Sequence, residues 1–501
     1  MILDGLDSSA MPAPHYDVCV VGAGAAGITL ARKLATRSLS ICVLEAGGRA
    51  FDQAQQDIYA GPYEGSFAAE EFEYLRTSRT RMLGGTTNYW TGYCAPLQES
   101  CFEPRPGIAP NGWPIRAADL APYYPEAAEI LQITPPVHDS DAGYSESRKP
   151  LLVHRPHLRT LNFHLSPPTR FGDVYGAELA AADNVHLLLN TTAAEVSMDG
   201  DRVTAIHTRD LAGNRRTIGA DHFVLAAGGI ENSRLLLLWN RAHGNRLGNR
   251  HDQVGRYFMD HASVHMAGSW FRELPHAALN AYLFQQFDEV RRHHTKAALT
   301  VSPEWIARRG LPNFLVHAGF MAPGPGPEAR ALISAARAID EMRGATPAGS
   351  FPEYFQLITE PPLDADNRVT VIDEPDELGL PRTQVRFRLP PDYPDTCRRC
   401  MRALVEAVGA EGIGRGRVYV DPDMGRWPES GQFTHLQDHH NGGTRMSTGE
   451  KTGVVDANCR VHGTDNLHVA SSSVFTTGGV PNPTFTIVAL TLRLADHLVS
   501  A

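Results

Sequence analysis

The sequence predicts a mixed α/β fold, on three observations. A short β-branched run, Tyr16–Val21, leads directly into Gly22-Ala25-type punctuation, Gly22-Ala-Gly24-Ala25-Ala26-Gly27, and then into ITLARKLA, whose apolar residues recur at helical spacing. A second strand-like run, Ser40–Leu44, ends in an acidic residue, Glu45. Further along, NVHLLLNTTAAEV, DRVTAIHTR and RRTIGADHFVLAA read as strands, with turns at MDGD and LAGN. At 501 residues the chain is long enough for two or three domains with sizeable cores.

The first strand, turn and helix form a unit in which each glycine has a physical task. Gly22 allows the tight turn, Gly24 lets backbone approach a pyrophosphate, and Gly27 lets the helix pack closely on the strand. Ala25 and Ala26 begin the helix, whose free N–H groups and positive dipole end suit phosphate. Glu45, about 20 residues after the glycines, is placed to accept hydrogen bonds from ribose hydroxyls, with Ala46 next to it. A bare Gly-rich turn in another α/β unit is the alternative. The strand before, the helix after and the spacing to Glu45 together favour a nucleotide site, without separating NAD from FAD.

The next signal is Arg81-Met-Leu-Gly84-Gly85-Thr86-Thr87-Asn-Tyr89-Trp90. Two glycines followed by two threonines offer close backbone approach and hydroxyl donors, a good phosphate or ring-edge contact. Alone, the segment equally suits a tight turn closed by its own side chains.

Near the C-terminus, His440 precedes Asn-Gly-Gly-Thr444. Histidine is the side chain whose ordinary pKa permits base work near neutrality, although a single histidine among 22 is more often structural. About forty residues on, Asn482 is a good helix N-cap, and Pro483 and Thr484 suit the first turn of a helix that buries Phe485, Val488, Leu490 and Leu494.

Composition narrows the function. The formal net charge is −10, so no nucleic-acid partner is expected. No apolar run reaches a membrane span, and the start MILDGLDSSAMPAPHYD lacks the basic and apolar regions of a secretory signal. Seven widely spaced cysteines do not make a disulfide framework, and a cytoplasmic location is expected. Cys397-Arg-Arg-Cys400, the only CxxC, lacks the context of a redox dithiol or a zinc site, and no metal is expected.

Taken together, six segments resemble the glucose–methanol–choline (GMC) flavin oxidoreductases: VVGAGAAG…LEAGG, RMLGGTTNYW, FVLAAGGIENSRLLL (223–237), VGRYFMDH (254–261), HNGGTRM (440–446) and SSSVFTTGGVPNPTFTIVALTLRLADHL (471–498). The resemblance implies FAD as cofactor, adds Ala227, Gly228, Ser471 and Ser472 to its contacts, and implies a histidine and a second His or Asn facing the flavin. By the spacing to Gly443-Thr444, His440 matches the first and Asn482 the second. His439 stands one residue off that spacing and is expected to be structural, like His435, His462 and His468. Tyr89 occupies the position where several relatives attach FAD through a histidine, so non-covalent FAD is expected. Ser471 stands where the family often has aspartate and can still reach the pyrophosphate region, without the charge. Thr476 replaces a frequent proline.

The resemblance also implies two interleaved domains: a Rossmann-like FAD domain from residues 12–100, 190–265 and 425–501, and a substrate domain of residues 101–189 and 266–424 on an antiparallel sheet. Gly324-Pro-Gly-Pro followed by EARALISAARAIDEMR is expected to be a loop and a peripheral helix. The implied reaction is oxidation of a small-molecule alcohol by hydride transfer to the flavin with His440 as base. A sugar or glycoside hydroxyl is favoured, and a sterol or other apolar secondary alcohol is the alternative. Tyr93 and Gln356 are candidate substrate contacts. Oxygen, a quinone or a partner protein could accept the electrons. A flavin-containing lyase and the flavin subunit of a membrane dehydrogenase complex are the rival readings.

Overall fold

The computed structural model describes residues 1–4, 15–65, 73–134, 155–272, 282, 285–288, 293–318, 334, 338, 341–342, 350–412, 414–419 and 434–500. The 324–327 loop and most of the helix expected after it lie outside the described residues.

The β-branched and leucine-rich runs near the front form the centre of an eight-stranded sheet. Its order is Ile2–Asp4, Val185–Leu189, Ile41–Leu44, His15–Val21, Arg215–Leu225, Arg202–Arg209 and Thr192–Asp199, with Leu467–Val469 beside Arg215–Leu225. Pairings from Ile2–Asp4 through Arg215–Leu225, and that of Leu467–Val469, are parallel, whereas Arg202–Arg209 is antiparallel to both its neighbours. Val18, Val20, Ile41, Val43, Leu187 and Phe223 are fully buried, as a parallel sheet covered on both faces requires. The helix Ala25–Ala35 covers one face and packs along the final helix, Thr484–Ser500.

A nine-stranded antiparallel sheet forms the second layer, in the order Gly414–Tyr419, Ala262–Arg272, Ser350–Thr359, Phe314–Ala318, His293–Val301, Leu158–Leu165 and Tyr93–Cys94. Gln286–Asp288 and Thr434–Leu436 add to His293–Val301 and Ala262–Arg272. The helix Tyr393–Ala410 carries Cys397 and Cys400, both buried and free, among its core-facing residues. A small third sheet joins Arg368–Pro375, Pro381–Phe387 and Tyr63–Gly65.

Strand pairing redraws the expected boundaries. Ile2–Asp4 and Val185–Leu189 belong to the parallel sheet although its segments were expected to begin at 12 and 190, and Tyr93–Cys94 pairs into the antiparallel sheet. Among the described residues, no helix is long and apolar enough to cross a membrane.

Candidate active site

Five parallel strands end on one side of their sheet, and the residues just past those ends meet. Gly22 follows Val21, Glu45 and Ala46 follow Leu44, Thr191 and Thr192 follow Leu189 and its turn, Ala226–Gly228 follow Leu225, and Ala470–Ser472 follow Val469. All line a cavity of about 670 Å³. This is the crevice at the carboxyl ends of strands where open α/β sheets bind ligands. Three helices start on it, at Ala25, Gly229 and Thr484, each directing its positive end inward.

The glycine fingerprint behaves as its spacing predicts. Gly22 has φ +103°, and a Cβ there would lie 2.6 Å from the Ala226 carbonyl oxygen. A Cβ on Gly27 would lie 1.8 Å from the Gly22 oxygen, so only glycine lets helix and turn touch. A Cβ on Gly24 would meet nothing nearer than the Gly85 Cα at 4.0 Å, which leaves open space beside the turn. The Glu45 carboxylate accepts the N–H groups of Ala23 and Gly47, both at 2.8 Å, and so ties the turn to the second strand. Burial raises its pKa, against the pull of those two donors. Each oxygen keeps a second lone pair for a ribose hydroxyl.

The remaining expected contacts divide. Ala25, Ala26, Arg81, Gly85, Thr86, Thr87, Tyr89, Trp90, Pro483 and Thr484 line the cavity, whereas Gly27 and Gly84 stand behind its wall. Arg81 is buried, and its guanidinium donates to Gln55 at 3.3 Å and to Thr192. The Thr87 hydroxyl donates to the Gly84 carbonyl at 2.6 Å and accepts from the Phe171 N–H at 3.2 Å, so it closes the turn. Trp90 donates to the Thr169 carbonyl at 3.0 Å. Ser471 caps the turn Ser472–Val474 through the Ser473 N–H. The two substrate candidates do not line the cavity: the buried Gln356 amide donates to Ser263 at 2.8 Å, and Tyr93 packs edge-on against Phe163 and His317.

The histidine facing Asn482 is not the expected one. Asn482 Nδ2 lies 2.9 Å from His439 Nε2, so its side chain reaches across the cavity wall to the histidine. His440, next in the chain, turns the other way, with its ring 5.8 Å from those of Tyr74 and Phe258. Consecutive side chains of an extended segment point to opposite sides, and only one of the two can face Asn482. Which one is set by register. Leu436 pairs with Ala262, but Asn441 pairs with Met259, so two extra residues enter on one side, and Asp438 between them has φ +57°. The bulge aims the His439 ring at Asn482 and at His261, whose Nδ1 lies 2.8 Å from His439 Nδ1. Burial holds the pKa values of both His439 and His440 down, the latter to about 3, so both rings are neutral near neutral pH.

Spacing to the Gly-Thr pair therefore missed His439, and it also passed over His261, Arg79, Asp438 and the Thr191–Thr192 turn. The last was findable, because NVHLLLN ends as the other parallel strands do. Asp260 accepts the His439 N–H and the Tyr74 hydroxyl, both at 2.8 Å, and burial followed by the nearby Asp438 raises its pKa to about 8. Asp260, Asp438 and His440 bring potential ligand atoms within 4.8 Å of one another, with both Asp260 oxygens already engaged.

These residues suit a dinucleotide with a ring system at one end. The glycine turn and three helix starts provide for phosphates, Glu45 for ribose, and the His439–Asn482 pair for the reacting end. Three buried atoms on the lining, Ser78 Oγ, Arg79 Nη2 and His440 Nε2, have no protein partner, as donors or acceptors kept for a bound group would.

Family comparison agrees with that site. A family model of GMC oxidoreductases matches residues 363–491, and one of NAD(P)-binding Rossmann-like domains matches residues 20–65. The 6'''-hydroxyparomomycin C oxidase of Streptomyces lividus is 26% identical over 97% of this chain and 92% of its own. The fructose dehydrogenase large subunit of Gluconobacter japonicus is 24% identical over 97% and 98%, and the C-glycoside 3-oxidase of Microbacterium trichothecenolyticum is 24% identical over 97% and 96%. The crystal structure of pyridoxine 4-oxidase from Mesorbium loti superposes with a TM-score of 0.56 at 17% identity, covering 97% of this chain and 99% of that one. The chain is an FAD-dependent oxidoreductase whose residues 363–491 match the GMC oxidoreductase family.

Proposed function

We propose that this protein oxidises a sugar or glycoside hydroxyl to a carbonyl, with non-covalent FAD and with His439, rather than His440, as the base. The observation that carries this is the contact of His439 Nε2 with Asn482 Nδ2 at 2.9 Å, on the cavity wall where the final helix begins. Relatives named for a fructose dehydrogenase and a C-glycoside 3-oxidase, each aligned along nearly the whole chain, support the substrate class.

FAD, when bound, supplies the acceptor for the hydride that leaves the carbinol carbon. His439 takes the hydroxyl proton at Nε2, and the Asn482 amide holds the same oxygen in place. The start of the final helix, at Thr484, presents positive potential to charge that develops nearby. Tyr89, at the position where relatives attach FAD through histidine, supports non-covalent binding. The cofactor's segments are 12–100, 190–265 and 425–501, enlarged by Ile2–Asp4 and Val185–Leu189. The electrons pass on to oxygen, a quinone or a partner protein. Seven free, buried cysteines support a reducing, cytoplasmic setting.

The test is anaerobic addition of a panel of sugars, glycosides and sterols to the purified yellow protein. Bleaching by a sugar or glycoside is expected. Bleaching only by a sterol would move the substrate class, and a flavin that no alcohol bleaches would favour a lyase.

A further inference from the structure

We infer that His261 is a positioning residue that fixes the proton of His439 on Nδ1 and so leaves Nε2 bare to take the substrate proton. The inference rests on the reading of His439 as the base.

A chain of three hydrogen bonds carries it. His261 Nε2 lies 2.8 Å from the carbonyl oxygen of Gly479. A carbonyl only accepts, so this nitrogen carries the hydrogen. His261 is fully buried, and burial pushes its pKa down, so the ring is neutral and holds no second proton. Its Nδ1 is therefore an acceptor. That nitrogen lies 2.8 Å from His439 Nδ1, which must donate. His439 is neutral as well, so its Nε2 has only a lone pair. The lone pair accepts from the Asn482 amide at 2.9 Å, and an incoming hydroxyl can compete for it. The direction of every bond follows from one carbonyl group and the neutrality of the two rings. When the hydroxyl O–H bond breaks, the new N–H bond forms at Nε2, and His261 Nδ1 goes on accepting from Nδ1–H.

The backbone holds the two rings together. The Gln437 N–H donates to the His261 carbonyl at 3.0 Å, and Met259 and Asn441 exchange both backbone bonds, so the chain on either side of His439 runs antiparallel to that around His261.

The test is ¹⁵N NMR of histidine-labelled oxidised holoenzyme without substrate, with His439 assigned by the signals lost in His439→Gln. The expected spectrum has His439 protonated at Nδ1 and unprotonated at Nε2. In His261→Gln the amide can still accept from His439 and donate to Gly479, and the spectrum is retained. In His261→Leu the Nε2-protonated form grows in. A protonated Nε2 in the wild-type enzyme overturns the inference, as does an unchanged tautomer in His261→Leu. Should the leucine variant not fold, the wild-type spectrum decides. Reductive turnover of His439→Ala with a substrate that bleaches the flavin separates the two readings. Full rate there removes His439 as base and the inference with it, whereas lost rate with a protonated Nε2 overturns the inference alone.

Discussion

His439 and Asn482 lie 43 residues apart in the chain and meet Nε2 to Nδ2 across 2.9 Å. Neither is held by its own element alone. Asn482 lies two residues before the start of the final helix, and His439 hangs from a bulge opposite the segment that carries His261.

Asn482→Asp tests that contact through pH. In the native protein burial keeps His439 neutral far below its usual range, so the reductive rate is expected to be flat across neutral pH. A carboxylate at 482 favours the protonated ring and raises its pKa, and a protonated His439 cannot act as base. The variant is expected to be slowest at low pH and to recover as pH rises, with a loss on the order of 10² at pH 6. A flat profile in stopped-flow reduction would show that His439 is not the titrating base.

Gly27→Ala tests the nucleotide turn. Its Cβ would lie 1.8 Å from the Gly22 carbonyl oxygen, so helix and turn must separate. A loss of about 1–3 kcal/mol of stability and of most bound FAD is expected, read from the melting temperature and the flavin-to-protein absorbance ratio. Normal flavin content would mean that the close approach of helix and strand is not required.

Asp376→Ala tests the buried ion network beneath the cavity. Arg234 reaches Glu231 at 2.7 Å and Asp376 at 2.5 Å, Arg79 reaches Glu231 at 3.1 Å, and all four are buried. Removing one anion leaves a buried guanidinium short of a partner, at a cost of about 3–5 kcal/mol. The network also sets an acid limit. Burial would raise the Glu231 pKa, but Arg234 and Arg79 outweigh it and hold the value at about 2. A depressed carboxylate stabilises the fold above its unfolded value of about 4.3 and loses that stability as pH falls toward 2. Thermal unfolding followed across that range is expected to show the loss, and to show less of it in Glu231→Gln.

Non-covalent FAD is tested by acid precipitation. The whole yellow colour is expected in the supernatant. Colour that stays with the pellet would point to a covalent link at another residue.

What was legible follows from range. The glycine turn, Glu45 and the parallel strands are local, and strand propensity with turn chemistry located them within a few residues. The residue facing Asn482 was not local. His439 and His440 are equivalent in composition, and the choice between them depends on a two-residue register change and a left-handed Asp438, which only pairing with the 259–264 segment imposes. Gln356 and Tyr93 fell outside the cavity for a similar reason. Their strands were identifiable, but the face each side chain presents depends on how the antiparallel sheet lies against the parallel one.

The measurement that bears most directly on the whole account is anaerobic stopped-flow reduction of the flavin by a sugar or glycoside substrate in the wild-type enzyme, His439→Ala and His440→Ala, each with its FAD content determined. The account predicts bleaching in the wild type, a loss on the order of 10² or more in His439→Ala, and a far smaller change in His440→Ala. Rapid reduction in His439→Ala together with loss in His440→Ala would contradict it.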